Sequence, residues 1–409
     1  MSDYLMESIG LLLRWLHVIA AIAWIGESFY FVALDNGLEQ PRPGSAPAGV
    51  AGESWSVHGG GFYHKQKYLV APARMPETLH WSKWKAYTTW LSGFALFGAM
   101  YLSQPQLYLV DPAVAALPPH LAPLLAVAFL AGGWLVYDAL CRLIGFRDGV
   151  LGVAVGLFVL AVDYAATHLF GGRAAFLLVG GVMATIMSAN VFVVIIPGQK
   201  KMVAALARGE TPDPVYGKRG KQRSVHNTYF TLPVVFAMLS NHYASTFAHP
   251  QAWLILALWM LAGALIRQFF VLWHAGRRAW ALPAGGAVLI VAALAWMRPS
   301  APAVAAPATP ATTPASATAA PAVSADDFPL VQKVIAERCA GCHADHPTLM
   351  ASAPKGLSFD NPQTILQHAH GIYHQTVQLK IMPLGNITHM SEAERATIAR
   401  WYDAQSSKP

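Results

Sequence analysis

Charge is scarce in this 409-residue chain: only 12% of its residues are Asp, Glu, Lys or Arg, whereas 55% are hydrophobic. That balance excludes an ordinary soluble globular protein and points to a polytopic membrane class. Cysteine is scarcer still, with three in all, so no disulfide framework can organise the fold. A basic leader is missing too. Asp3 and Glu7 stand before the first apolar run, where a secretory signal would carry positive charge, and no small-residue cleavage site stands out. That run is therefore expected to remain as a helix. The net charge of +7 does not imply nucleic acid as a partner, because the basic residues lie in short loops between apolar runs, where orientation in a lipid bilayer accounts for them.

What the chain does contain is eight apolar runs of the roughly 20 residues needed to cross about 30 Å of hydrocarbon. They cover 9–34, 86–110, 121–141, 150–169, 174–196, 228–247, 252–274 and 280–297. Seventeen Lys and Arg fall in alternate loops, and the opposite loops hold only Arg173 and Arg298. By the positive-inside rule the richer side is cytoplasmic, and an even number of crossings then puts both termini on the outer side. Residues 299–325 are built almost wholly of Ala, Pro, Thr, Ser and Val with no charge, which excludes a packed core and reads as a linker. Such a linker would reach on the order of 30 Å as a flexible coil and about 80 Å as polyproline II.

Beyond the linker stands Cys339-Ala340-Gly341-Cys342-His343. Cys-x-x-Cys-His reads as a c-type haem attachment site: two thiols form thioethers to the porphyrin, and the histidine becomes an iron ligand. That chemistry is one-electron transfer, and in bacteria it is carried out on the outer side of the inner membrane. It agrees with the charge argument that both termini are periplasmic. The surrounding residues 326–409 read as a small class-I-like cytochrome c domain. A helix is expected near 330–338, and a final helix is opened by a capping box at Ser391 and Glu394 and given an apolar face by Ile398, Trp401 and Tyr402. Met382, in Ile381-Met382-Pro383-Leu384-Gly385-Asn386, is the sixth ligand this reading selects, because a thioether raises the potential of an electron acceptor. His346, His368, His370, His374 and His389 remain as rivals, each with an alternative reading as a surface or haem-edge histidine.

Ionisable groups inside apolar spans are costly and mark candidate sites. The first span carries Arg14, His17 and Glu27; later spans carry Asp163, His168, Asn241, His242, Arg267, Gln268 and His274. His17 and His242 are the expected pair for a b-type haem or metal, with hydrogen bonding across helices as the alternative. Arg14 and Arg267 suit an anionic substrate, with ion pairing to Glu27 or Asp163 as the alternative. The segment 218–229, dense in Lys and Arg, reads as a loop before a helix start near Thr228, either an orientation signal or an anion site. His58, His64 and His80 match no metal template and read as loop residues. The fold class expected is all-α: an eight-helix transmembrane bundle over 1–298, the linker 299–325, and the cytochrome c domain 326–409.

Several segments together carry a family resemblance: Ser188-Ala189-Asn190-Val191-Phe192, Ile195-Ile196-Pro197-Gly198-Gln199, Arg223-Ser224-Val225-His226-Asn227-Thr228-Tyr229, Ser240-Asn241-His242-Tyr243 and Met382-Pro383-Leu384-Gly385-Asn386. With them the chain resembles the membrane-bound bacterial urate oxidases, or urate hydroxylases, in which eight spans precede a cytochrome c domain. The resemblance implies oxidation of urate to 5-hydroxyisourate without hydrogen peroxide, with electrons passed singly to the tail haem and on to a cytochrome oxidase or soluble cytochrome c. Candidate catalytic residues are Arg14, Glu27, Arg267 and Gln268, chosen by chemical analogy with the Arg and Gln that grip purine edges in soluble uricases. The cofactor ligands are Cys339, Cys342, His343 and Met382, of which His343 and Met382 bind the metal. Leu16-His17-Val18-Ile19-Ala20-Ala21 also resembles the first helix of membrane-bound protoporphyrinogen oxidases and copper-resistance membrane proteins, which implies a ligand role for His17. The rival class is an electron-transfer subunit of a respiratory or metal-handling complex that turns over no small molecule.

Overall fold

The computed structural model describes residues 3–69, 71–72, 75–298, 328–350 and 353–406. The expected linker over 299–325 lies outside the described residues. Among the described residues, 69% are helical. Its body runs α1 (Asp3–Asn36), β1 (Val50–His58), β2 (Gly61–Tyr68), α2 (Trp84–Phe97), α3 (Pro105–Tyr108), α4 (Ala122–Ile144), α5 (Asp148–Leu169), α6 (Gly172–Ala189), α7 (Ile196–Ala207), α8 (Pro214–Leu239), α9 (Ala244–Phe247), α10 (Ala252–His274) and α11 (Ala281–Trp296). The tail adds α12 (Phe328–Arg338), α13 (Pro362–Gln367), α14 (Ala369–Tyr373) and α15 (Glu392–Ser406).

Among the described residues, five helices are long and apolar enough to cross a membrane: Ser8–Asn36, Ala122–Ile144, Asp148–Leu169, Gly172–Ala207 and Ala252–His274. A helix satisfies its own backbone donors and acceptors, which is what hydrocarbon demands. The other three runs expected to cross meet that standard less well, each for its own reason. α2 is 14 residues long and passes into a π-turn at Gly98–Leu102; α11 has only 16 residues; α8 has 26 but carries charge through its first half. The run expected to end at Ile196 instead continues, through a π-turn at Asn190–Ile195, to Ala207.

α6 is the axis of the body. Its Ala174, Phe176, Leu178, Val179, Met183 and Ile186 are almost wholly buried, and α4, α5 and α8 pack around it. Two expectations need correction. An all-α chain was expected, yet residues 50–68 form an antiparallel hairpin in which Trp55 stacks on His64 at 4.2 Å and His64 meets Glu53 at 2.8 Å. His58 and His64 therefore sit on strands rather than in a loop. Residues 218–229 were expected as a loop before a helix start, but α8 already begins at Pro214, where Asp213 caps it by accepting from Val215 N–H at 2.9 Å. Proline at the first helical position and an aspartate cap explain the earlier start. An anion site at a helix N-terminus near Thr228 is thereby excluded.

The tail folds around Val331, Ile335, Ile365, Ile372, Ile398 and Trp401, with Phe328 stacked on Trp401 at 5.8 Å. The expected capping box is formed: Ser391 N–H donates to Glu394 Oε2 at 2.6 Å, and Glu394 N–H donates to Ser391 Oγ at 3.3 Å. The tail is seated on the body. Ile381 packs into the body's main core cluster. Gly385, at φ +59°, lies so close to α3 that an added Cβ would stand 2.9 Å from the Val110 carbonyl oxygen and 3.1 Å from that of Gln106. Only glycine accommodates both that conformation and that approach.

Candidate functional site

The last turn of α12 hands the chain directly into the Cys-x-x-Cys-His segment. Cys339 N–H donates to Ile335 O at 2.8 Å, and the next turn closes with His343 N–H donating to Cys339 O, also at 2.8 Å. These turns bring Cys339, Cys342 and His343 onto the wall of one cavity of about 1170 Å³, which Met382 also lines. His343 Nδ1 lies 3.0 Å from the Leu357 carbonyl oxygen. A carbonyl only accepts, so Nδ1 carries the proton and Nε2 keeps its lone pair free for a metal. Burial pushes the Cys339 thiol up to about 12 and raises Cys342 as well.

Met382 is held from behind. Arg395 Nη1 donates to the Met382 carbonyl at 2.8 Å and also to the Thr376 carbonyl, which fixes the backbone that carries the thioether. Arg338 is occupied elsewhere, by Glu394 at 2.9 Å and the Thr388 carbonyl at 2.8 Å. A donor set of two thiols, one imidazole with a free Nε2 and one thioether, within a space that Leu357, Phe359 and Ile372 make apolar, fits a covalently attached haem.

The other wall of this cavity belongs to the body. Arg14, His17, Tyr101, Arg173, Asn241 and His242 all line it. His17 is fixed by Nδ1, which donates to the Thr89 carbonyl at 2.9 Å and lies 3.1 Å from Ser92 Oγ. Gly93 makes room for the ring, since a Cβ there would stand 2.7 Å from His17 Cε1. His17 and His242 thus share one cavity. Among the described residues no group of three or more His, Cys, Asp or Glu is arranged to hold a metal ion.

The four candidate catalytic residues are not brought together. Arg14 lines the cavity; Glu27, Arg267 and Gln268 do not. Glu27 is paired with Lys85 at 2.8 Å and accepts from Ser82, so the alternative in which it pairs with Arg14 or Arg267 is not formed among the described residues. Arg267 lies over the Phe29 ring at 4.3 Å, and Gln268 accepts from the Tyr229 hydroxyl. Asp163 is wholly buried, with neither oxygen bonded among the described residues.

Two features escaped the sequence reading. Arg173 had counted only as a sparse outer-loop charge, and that very rarity was the signal available. The second is a buried polar network that converges on the π-turn. Asn190 Nδ2 donates to the Tyr137 hydroxyl at 3.1 Å and to Asn227 Oδ1 at 2.9 Å, Tyr137 meets His226 at 2.8 Å, and Arg223 reaches Asn190 at 3.2 Å and Asp138 at 2.6 Å. Asn190, Arg223, His226 and Asn227 come from two of the segments that carry the family resemblance, Tyr137 and Asp138 come from α4, and a π-turn at such a place often marks function.

No curated protein and no solved structure matches this chain. Residues 3–298, the whole of the body, match the family model described as urate oxidase N-terminal, and the chain therefore belongs to that family.

Proposed function

We propose that this chain is a membrane-bound urate oxidoreductase that converts urate to 5-hydroxyisourate and passes the electrons, one at a time, to a c-type haem on its own tail. The observation that carries this reading is the single cavity shared by the urate oxidase family's body and by Cys339, Cys342, His343 and Met382 of the tail. In this reading residues 1–298 are an eight-crossing body in a bacterial inner membrane, 299–325 are a linker, and 326–409 are a periplasmic cytochrome c domain. The one-sided distribution of Lys and Arg supports that orientation.

The balance of the reaction is simple. Urate loses two electrons and two protons, one water adds to the purine ring, and the oxygen of that water becomes the product's hydroxyl. A haem joined to Cys339 and Cys342, with His343 and Met382 as ligands, supplies a one-electron acceptor when bound, so two electrons leave in succession. The chain's own residues prepare that position. Leu357 fixes the His343 tautomer, Arg395 anchors the Met382 backbone, and Leu357, Phe359 and Ile372 line the pocket beside them. The electrons pass on to a cytochrome oxidase or a soluble cytochrome c, and dioxygen is not the direct acceptor. A b-type haem or metal held by His17 and His242 belongs to the same proposal, and a pyridine haemochrome spectrum containing only c-type haem would remove the haem form of it.

The deciding experiment incubates purified full-length protein with urate and an electron acceptor. Urate should be consumed and the tail haem reduced, without peroxide. Unchanged urate would favour the electron-transfer subunit.

A further inference from the structure

We infer that Arg14 and Arg173 together hold the substrate, as a planar purine anion, in the cavity between body and tail. This rests on the urate reading above and adds to it the place of binding and a residue that no motif marks.

Three guanidinium groups line the cavity, those of Arg14, Arg173 and Arg338, and among the described residues no carboxylate does. Arg338 is neutralised by Glu394. The other two are not. Among the described residues the Arg14 side chain has only the Met100 sulfur as a hydrogen-bond partner, at 3.0 Å, and a thioether is a weak acceptor. Arg173 rests on the Phe247 ring at 5.6 Å, and its buried Nε has no hydrogen-bond partner among the described residues. Arg14 is exposed and Arg173 half-buried, and each borders the cavity with no carboxylate to balance its charge among the described residues. Two such cations that border one space favour an anion between them, and a guanidinium offers paired donors suited to the edge of a flat, oxygen-bearing ring.

The two arginines act on the same place. Both lie within electrostatic reach of Tyr101 and Tyr108, and Cys342 of the tail is also within reach of Tyr108. An anion held there lies next to the expected haem position. Aromatic faces for a planar ring are supplied by Trp90, Phe94 and Tyr101. Access is built into the seam. A second cavity of about 490 Å³ shares Tyr108, Arg173, Ile381 and Leu384 with the first, which makes Arg173 the cation at the boundary between them. Arg267, though buried and only weakly partnered, borders neither cavity and takes no part.

The same two cations could instead serve the propionate carboxylates of the haem, and the test separates the two anions. Full-length Arg14→Gln and Arg173→Gln proteins are compared with wild type for urate turnover, for the spectrum and midpoint potential of the tail haem, and for reduction by dithionite. Each loss of a charged hydrogen-bond partner should raise the KM for urate roughly ten- to hundredfold with little change in kcat and an unaltered haem potential. Arg173→Lys, which keeps the charge but loses the fork, should fall between. A shifted potential with an unchanged KM would assign the arginines to the propionates and overturn the inference. So would an unchanged KM and potential together. If wild type fails to oxidise urate, the functional reading falls by itself, and equilibrium dialysis with urate still decides the site: equal binding by wild type and Arg173→Gln refutes it. Where Arg173→Gln does not assemble, as judged by haem content, Arg173→Lys serves in its place in both assays, and a KM and urate affinity equal to wild type overturn the inference.

Discussion

Replacing Gly385 with alanine should unseat the tail from the body while leaving the tail itself folded. The added Cβ would stand 2.9 Å and 3.1 Å from the carbonyl oxygens of Val110 and Gln106, and backbone oxygens cannot swing aside as a side-chain tip can. To restore ordinary contact the seam must widen by roughly half an ångström, and a gap of that size already forfeits about a quarter or more of each dispersion contact that Ile381 makes across it. Overpacking of this kind costs about 1–3 kcal/mol, equivalent to roughly a 5- to 150-fold shift in the docking equilibrium. Alanine also brings a strain of about 1–2 kcal/mol from the left-handed conformation, but that strain is present whether the tail is docked or free and cancels from the equilibrium. Gly385→Asn provides the control, because asparagine tolerates positive φ and still carries a Cβ. Both variants should slow reduction of the tail haem by urate in rapid mixing, with haem spectrum and dithionite reduction unaffected. Unchanged reduction rates in both would refute the argument that the Val110 contact seats the tail.

Met382→Ala should lower the midpoint potential of the tail haem sharply, followed by redox titration, because a thioether ligand raises it; an unaltered potential would transfer the ligand role to one of the tail histidines. Arg395→Met strips the carbonyls of Met382 and Thr376 of their charged donor and should destabilise the tail by about 2–4 kcal/mol, read from denaturant unfolding at the haem band. The tail should also lose stability in acid through Glu394. Burial opposes its ionised form, but hydrogen bonds from Ser391 and the guanidinium of Arg338 outweigh it and hold the carboxyl below the usual glutamate range. A depressed carboxyl pKa gives stability that is complete above the unfolded value and is lost as pH falls through the folded one. Glu394→Gln should flatten that acid limb in a melting series, and an unchanged limb would place the effect elsewhere.

The tail was legible because its signals are local. A capping box needs only Ser391 and Glu394, and the amphipathic run through Ile398 and Trp401 declares which face turns inward. α8 was misread because its Lys218, Arg219, Lys221 and Arg223 look like a solvated loop. The signal that governs its start, Asp213 followed by Pro214, stands a full turn upstream. The hairpin over 50–68 was hidden for a related reason: two strands of mixed polarity with Gly59 and Gly60 between them have little periodicity until they pair. The candidate site divides along the same line. Cys339, Cys342 and His343 are contiguous, and they appear on one cavity wall as spacing demands. Arg14 and Arg173 are 159 positions apart in the chain, and only the packing of α1 and α6 around a common space relates them. Arg267 had equal standing in the sequence, but a helix face decides which void a side chain borders, and its face turns to Phe29.

Because a single chamber takes one wall from the body and the other from the tail, it is a compartment only for as long as the two stay in register. Lifting the tail would not merely carry Cys339, Cys342, His343 and Met382 away; it would remove one whole wall of the chamber that Arg14 and Arg173 border. Exchange of whatever the chamber holds is therefore bound to the parting of its two walls, and a protein built this way need not evolve a separate gate.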